Sequence, residues 1–242
     1  MNQSASDTEH GGELPLANGQ GKIILTAASV LTGVLAATTI YAAKYHLGSE
    51  RFAPVAQLLT VWALCAASLT FGVQQWVVLA VVQEKTPGSI RRALVWPSLS
   101  VAVIASAVCA PMVNRWFDGD YKFVLLVAGL AMGTVWNGYS RGLSAASGRA
   151  GLLAFIVVGE NFIRVVLLIP LFVADATAPW FGAVVVAGFF VNFTPLPRSF
   201  ARIGKGAAMP REENAVVRVL LVSLVGFVSY ATMFGAPLFL AA

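Results

Sequence analysis

The stretch VVGENFIRVVLLIPLF, residues 157–172, sets Glu160 and Arg164 four positions apart inside a run that is otherwise almost wholly apolar. On a helix, residues with that spacing share one face and lie about 6 Å apart along the axis, close enough to pair. In hydrocarbon an unpaired charge costs roughly 2.5–3.5 kcal/mol on insertion scales. The face carrying Glu160 and Arg164 therefore belongs against other helices or a wet cavity, never against lipid. Pro170, further along the same run, removes a helical hydrogen bond and is placed to bend the helix toward such a cavity. Two readings stay open: an ion pair that locks neighbouring helices, or a polar element of a transport path.

A second polar stripe lies upstream. Gly129, Gly133, Asn137 and Arg141 recur every fourth residue and so share one helical face. The glycines allow close helix packing. Arg141 fits either a headgroup anchor or a substrate contact. Gln74 and Gln75 interrupt another apolar run, and because adjacent helical residues point about 100° apart, only one of them faces a narrow cavity squarely. Gln74 is the candidate.

Other chemistry is excluded. GYSRG at 138–142 fits the pattern of a serine nucleophile elbow, but that motif needs a strand-to-helix turn and a histidine base. Ser140 falls in a helical run, and the histidines are His10 and His46, both outside the apolar segments. Cys65 and Cys109 sit inside apolar runs without metal-ligand spacing and read as small buried hydrophobes. Asn192-Phe193-Thr194 matches a glycosylation sequon but falls on the side expected to face the cytoplasm. No phosphate-binding loop, zinc spacing or dinucleotide fingerprint is present, so no cofactor is expected.

What must position these residues follows from composition. Of 242 residues 58% are hydrophobic and 11% charged, against about 45–50% and about 25% in soluble domains. The mean hydropathy is +0.78 and the pI about 9.5. Such a chain is a membrane protein, because a water-soluble fold of this size would leave large apolar patches exposed. The net charge of +5 comes from short basic clusters between apolar runs, a topology signal with no block suited to nucleic acid.

A helix needs about 20 apolar residues to cross the bilayer, and apolar runs at about 22–43, 53–82, 90–112, 121–146, 151–174, 179–196 and 215–240 meet that length. The fold class expected is an all-α polytopic bundle with about seven spans. Residues 1–21 read as a disordered cytoplasmic tail, 22–196 as a six-helix lobe, 197–214 as a cytoplasmic linker and 215–242 as a seventh helix. The linker fits a solvated loop or an amphipathic helix on anionic headgroups. Lys22, Lys85, Arg91, Arg92, Arg141, Arg149 and the basic residues of the linker lie on one side of this scheme. Lys44, Arg51, Arg115 and Lys122 lie on the other. The excess places the N-terminus in the cytoplasm and the C-terminus outside. The last run stops at Leu240 without a polar flank, which reads as a truncated chain or a short natural one.

The order of several stretches resembles a known family. YHLGSERFAPVAQLLTVWAL is similar to the entry into the second helix of bacterial polysaccharide flippases, and FGVQQWVVLAVVQEK to the end of that helix. NGYSRGLSAASGRAGLLAFIVVGENFIRVVLLIPLF resembles their fourth-to-fifth helix hairpin, and YATMFGAPLFL their seventh helix. The likeness spans about residues 20–242, is loose in each motif, and rests on serial order. It implies a Wzx-type oligosaccharide flippase of the MOP superfamily, whose members surround a cavity with two six-helix lobes.

By that resemblance the protein sits in the bacterial inner membrane and moves an undecaprenyl-pyrophosphate-linked oligosaccharide across it by alternating access, for cell-surface polysaccharide synthesis. It is then a transporter and no enzyme. Arg164 and Arg141 would attract the anion, Glu160 would hold Arg164 or accept a coupling proton, and Gln74 and Asn137 would contact sugar. Two departures stand out. The first helix lacks the interior arginine of some members, and a second lobe, from a homodimer or from missing chain, is needed for alternating access. The competing readings are a cation-coupled multidrug exporter of the same superfamily and a noncatalytic or degenerate membrane fragment.

Overall fold

The structure is a computed structural model that describes residues 19–83 and 85–193. Most of the tail expected at 1–21, the linker at 197–214 and the seventh helix lie outside the described residues. Every regular element among those described is helical.

The first element, α1, runs Gly19–Cys65 and contains one residue outside helical space, Gly48, at φ 74° and ψ 168°. That conformation suits glycine, which lacks a Cβ to clash. The connection expected at about 44–52 between two spans is therefore nearly all helical, with the change of direction concentrated in one residue. Glu50 follows closely, near the positive end of the second leg's dipole. That leg passes through a π-helical turn, Ala66–Thr70, into α2, Phe71–Val82. Thr86 caps α3 (Pro87–Cys109) by accepting a 3.3 Å bond from the Ser89 amide, and Pro87 occupies the first turn, where no amide donor is needed. A 3₁₀ turn at Ala110–Met112 and a short α4, Val113–Trp116, lead to α5, Lys122–Ala146. Then come α6, Ala150–Val173, α7, Ala178–Ala187, and a 3₁₀ segment, Gly188–Phe193.

The fifth helix is the axis of the bundle. The Thr70 hydroxyl donates to the Thr134 carbonyl at 3.1 Å, and Val77 lies against Gly142, so α5 runs parallel to the 49–82 leg. The start of α3 meets the end of α5, where Tyr139 Oη donates to the Pro87 carbonyl at 3.1 Å, and Cys109 and Val113 join Phe123 and Val127 in the core at the other end. Those helices are therefore antiparallel. Leu126 meets Gly182 and Val186 meets Gly129, which sets α7 parallel to α5 and antiparallel to α6. Close approach at Gly138 and Gly142 is obligatory, because a Cβ on Gly138 would lie 2.6 Å from the Thr70 carbonyl oxygen and one on Gly142 the same distance from Val77 Cβ.

The helix α6 is inverted relative to a helix in water. Glu160, Asn161 and Arg164 are buried, while Phe155, Phe162, Val166 and Ile169 are exposed. A water-soluble helix would bury the second set and expose the first. Its solvent is therefore hydrocarbon. Among the described residues four helices are long and apolar enough to cross a membrane: Gln20–Val82, Pro87–Trp116, Lys122–Ala146 and Ala150–Val173. Ala178–Asn192 is a shorter apolar helix. The first, taken as one unit through its bend, is far longer than the roughly 20 residues a crossing requires. The protein is a membrane-embedded helical bundle.

Candidate functional site

Glu160 is the hub of a buried polar network joining α5, α6 and α7. Its Oε1 accepts from Arg164 Nη2 at 2.6 Å. Its Oε2 accepts from Asn137 Nδ2 at 3.0 Å and from Arg141 Nη2 at 3.3 Å. Arg141 Nε also donates to Asn137 Oδ1 at 3.0 Å, closing a ring of side chains between α5 and α6. Two guanidinium groups thus face one carboxylate, and the cluster carries a net positive charge with all members ionised.

The two arginines differ in what they offer. Arg164 is 2% exposed and turned fully inward. Besides Glu160 it donates from Nε to the Val185 carbonyl at 3.0 Å and from Nη1 to Asn161 Oδ1 at 3.1 Å. Trp62 and Phe189 cover it, with ring centroids 4.6 and 5.3 Å from Cζ. Each of its nitrogens is engaged and its faces are stacked, which is how a guanidinium survives burial. The Arg141 side chain is 26% exposed, and its Nη1 has no partner among these bonds. Arg141 is the member of the cluster that combines partial exposure with an uncommitted donor nitrogen.

The stripe on α5 divides as its chemistry implies. A Cβ on Gly129 would stand 3.0 Å from Val186 Cγ1, and one on Gly133 would overlap the Phe189 ring, so both glycines seat α7 and the segment after it. One and two turns later, Asn137 and Arg141 face α6 instead. Gln74 is apart from the cluster: it is half-buried on α2, beside Gly142 only through its backbone carbonyl. Pro170 lies on the exposed side of α6, and the helix continues through it to Val173. Ser140 is fully buried within α5, and among the described residues its hydroxyl has no hydrogen-bond partner.

Several supporting residues were not singled out from the sequence. Asn161 adjoins Glu160, and its side chain is itself fixed by donating to the Val157 carbonyl at 3.2 Å. Gly188 packs against Arg164: a Cβ there would stand 2.5 Å from Nε and 2.8 Å from the Glu160 carbonyl oxygen. Only a residue without a side chain admits the guanidinium at that point. The signal available was Gly188 between the valines at 184–186 and the phenylalanines at 189–190. Among the described residues no group of His, Cys, Asp and Glu is placed to hold a metal ion.

Comparison of the chain with protein-family models, with curated proteins and with solved structures finds no match.

Proposed function

We propose that the protein is a transporter of lipid-linked oligosaccharide, a flippase of the MOP type, in which the Glu160 cluster draws the anionic linkage of the substrate into the bundle. The observation that carries this reading is the pairing of two arginines with one glutamate, of which Arg141 alone retains an open donor and partial exposure. A cation held on a rigid platform is suited to a pyrophosphate, which guanidinium binds through paired donors. Asn137 supplies the platform by holding Arg141 Nε.

In this reading Arg164 is the positioning residue and Arg141 the contact. Arg164 fixes Glu160, Glu160 and Asn137 aim Arg141, and the polyprenyl tail of the substrate stays in lipid. The Gly48 bend divides α1 into two crossings, giving a six-span lobe with its N-terminus in the cytoplasm. A second lobe, from another copy or from further chain, faces the first and supplies alternating access. The cell's inner membrane is where such a substrate is made.

The test is leaflet translocation of a fluorescently labelled undecaprenyl-pyrophosphate oligosaccharide in proteoliposomes. The parent chain moves the labelled lipid, and Arg141→Ala, folded by circular dichroism, moves it at least ten times more slowly. If the parent moves none, the transport reading fails. An Arg141→Ala variant as active as the parent removes Arg141 from substrate contact.

A further inference from the structure

At the end of the bundle away from the α5–α6 turn, three connections converge on a cavity of ≈ 280 Å³. The Gly48 bend contributes His46 and Arg51, the α4–α5 turn Asp118 and Asp120, and the α6–α7 turn Asp175 and Thr177. His46 spans the gap between the first and third of these. Its ring centroid stands 4.8 Å from Phe172, edge-on, and 5.4 Å from Phe181, while Nε2 lies 3.3 Å from Asp175 Oδ1. That nitrogen is buried yet makes no aligned hydrogen bond.

We propose that His46 and Asp175 form a proton-operated latch that fastens the Gly48 bend of α1 to the turn between α6 and α7. Imidazole is the side chain whose charge ordinarily changes between about pH 5 and pH 8. Protonated, His46 gains a cationic N–H opposite a carboxylate, and the two connections are tied. Neutral, it leaves either an unsatisfied buried nitrogen or an uncharged donor poorly aligned with its acceptor, and the tie weakens.

Charged groups surround the imidazole. Asp175 faces His46 directly. Asp118 and Asp120 face the cavity from the α4–α5 turn, and Arg51 opposes them from the bend itself. The α6 and α7 helices bring only the rings of Phe172 and Phe181. The bend is the natural moving part, because Gly48 lies two residues from His46 and turns the chain alone. Asp175 is 97% exposed, so the pair is screened and the latch biases two positions by a few-fold instead of locking one. The latch does not depend on what the protein carries.

The test uses the full chain in lipid nanodiscs, with Cys65 and Cys109 replaced by alanine and spin labels on Tyr41→Cys and Val173→Cys, both exposed positions. Double electron–electron resonance at pH 5 gives one dominant distance. At pH 8 a second, longer distance grows several-fold. Both His46→Gln and Asp175→Asn make the distribution independent of pH, and the exposed position of Asp175 ensures that at least its variant folds. An unchanged distribution in the parent overturns the latch, as does the parental pH response in either variant.

Discussion

Replacing Glu160 by glutamine separates the roles of the two arginines most sharply. The substitution keeps the shape and one acceptor but removes the charge between Arg164 and Arg141, leaving two cations in contact with a neutral amide. Arg164, 2% exposed, has no other ion-pair partner among the described residues, and breaking a buried pair from one side costs about 3–5 kcal/mol. Arg141→Gln deletes a 3.3 Å contact from a side chain 26% exposed, and partly exposed pairs of that kind contribute about 1 kcal/mol or less. The two variants therefore differ by at least about 2 kcal/mol, more than tenfold in the unfolding constant. Reversible unfolding in mixed detergent and dodecyl sulfate micelles, followed by circular dichroism, measures the difference. The double variant Glu160→Gln with Arg164→Gln loses less than the sum of the singles, since the stranded charge is removed with its partner. A Glu160→Gln protein within about 1 kcal/mol of the parent, the typical worth of an exposed pair, would refute the claim that this carboxylate is the hub.

Packing at the glycines supplies further tests. Gly188→Ala pushes a methyl group into Arg164 Nε and the Glu160 carbonyl; thermal unfolding in detergent should show a loss of about 1–3 kcal/mol, the usual range for overpacking. Gly138→Ala meets the Thr70 backbone carbonyl and should lose a similar amount, about 1–3 kcal/mol by the same measurement. Gly33→Ala, with nothing within 4 Å of its added carbon, should gain about 0.5–1 kcal/mol from helix propensity. Equal effects at Gly138 and Gly33 would contradict the close contact of α5 with the π-helical turn.

The long apolar runs and the Glu160–Arg164 spacing were legible because each depends on a local period. Helix starts at 87, 122 and 150 fall within a few residues of the runs that announced them. Gly48 was harder to read: residues 44–52 carry charge and glycine, which look like a loop, yet the turn needs only one residue outside helical space. The π-helical turn at Ala66–Thr70 left no local mark, since it follows from the fit of Thr70 against α5. In the site, Asn137 and Arg141 were found through their stripe. Trp62 and the Val185 carbonyl were not, because what joins them to Arg164 is contact between helices, which no single period encodes; Asn161, three residues before Arg164 on the same helix, was within reach of that spacing.

The central position of α5 bears on how the protein is assembled. This helix is less apolar than α6, because its second half carries Asn137, Tyr139, Ser140 and Arg141 among glycines. A ribosome-bound translocon releases segments into lipid according to their apolarity, so α6 can leave the channel on its own strength while α5 gains from waiting for it. Glu160 on the later helix accepts from Arg141 on the earlier one at 3.3 Å, so that arginine is less costly in the bilayer once α6 lies beside it. The same carboxylate that organises the finished cluster therefore eases the burial of the helix made just before its own.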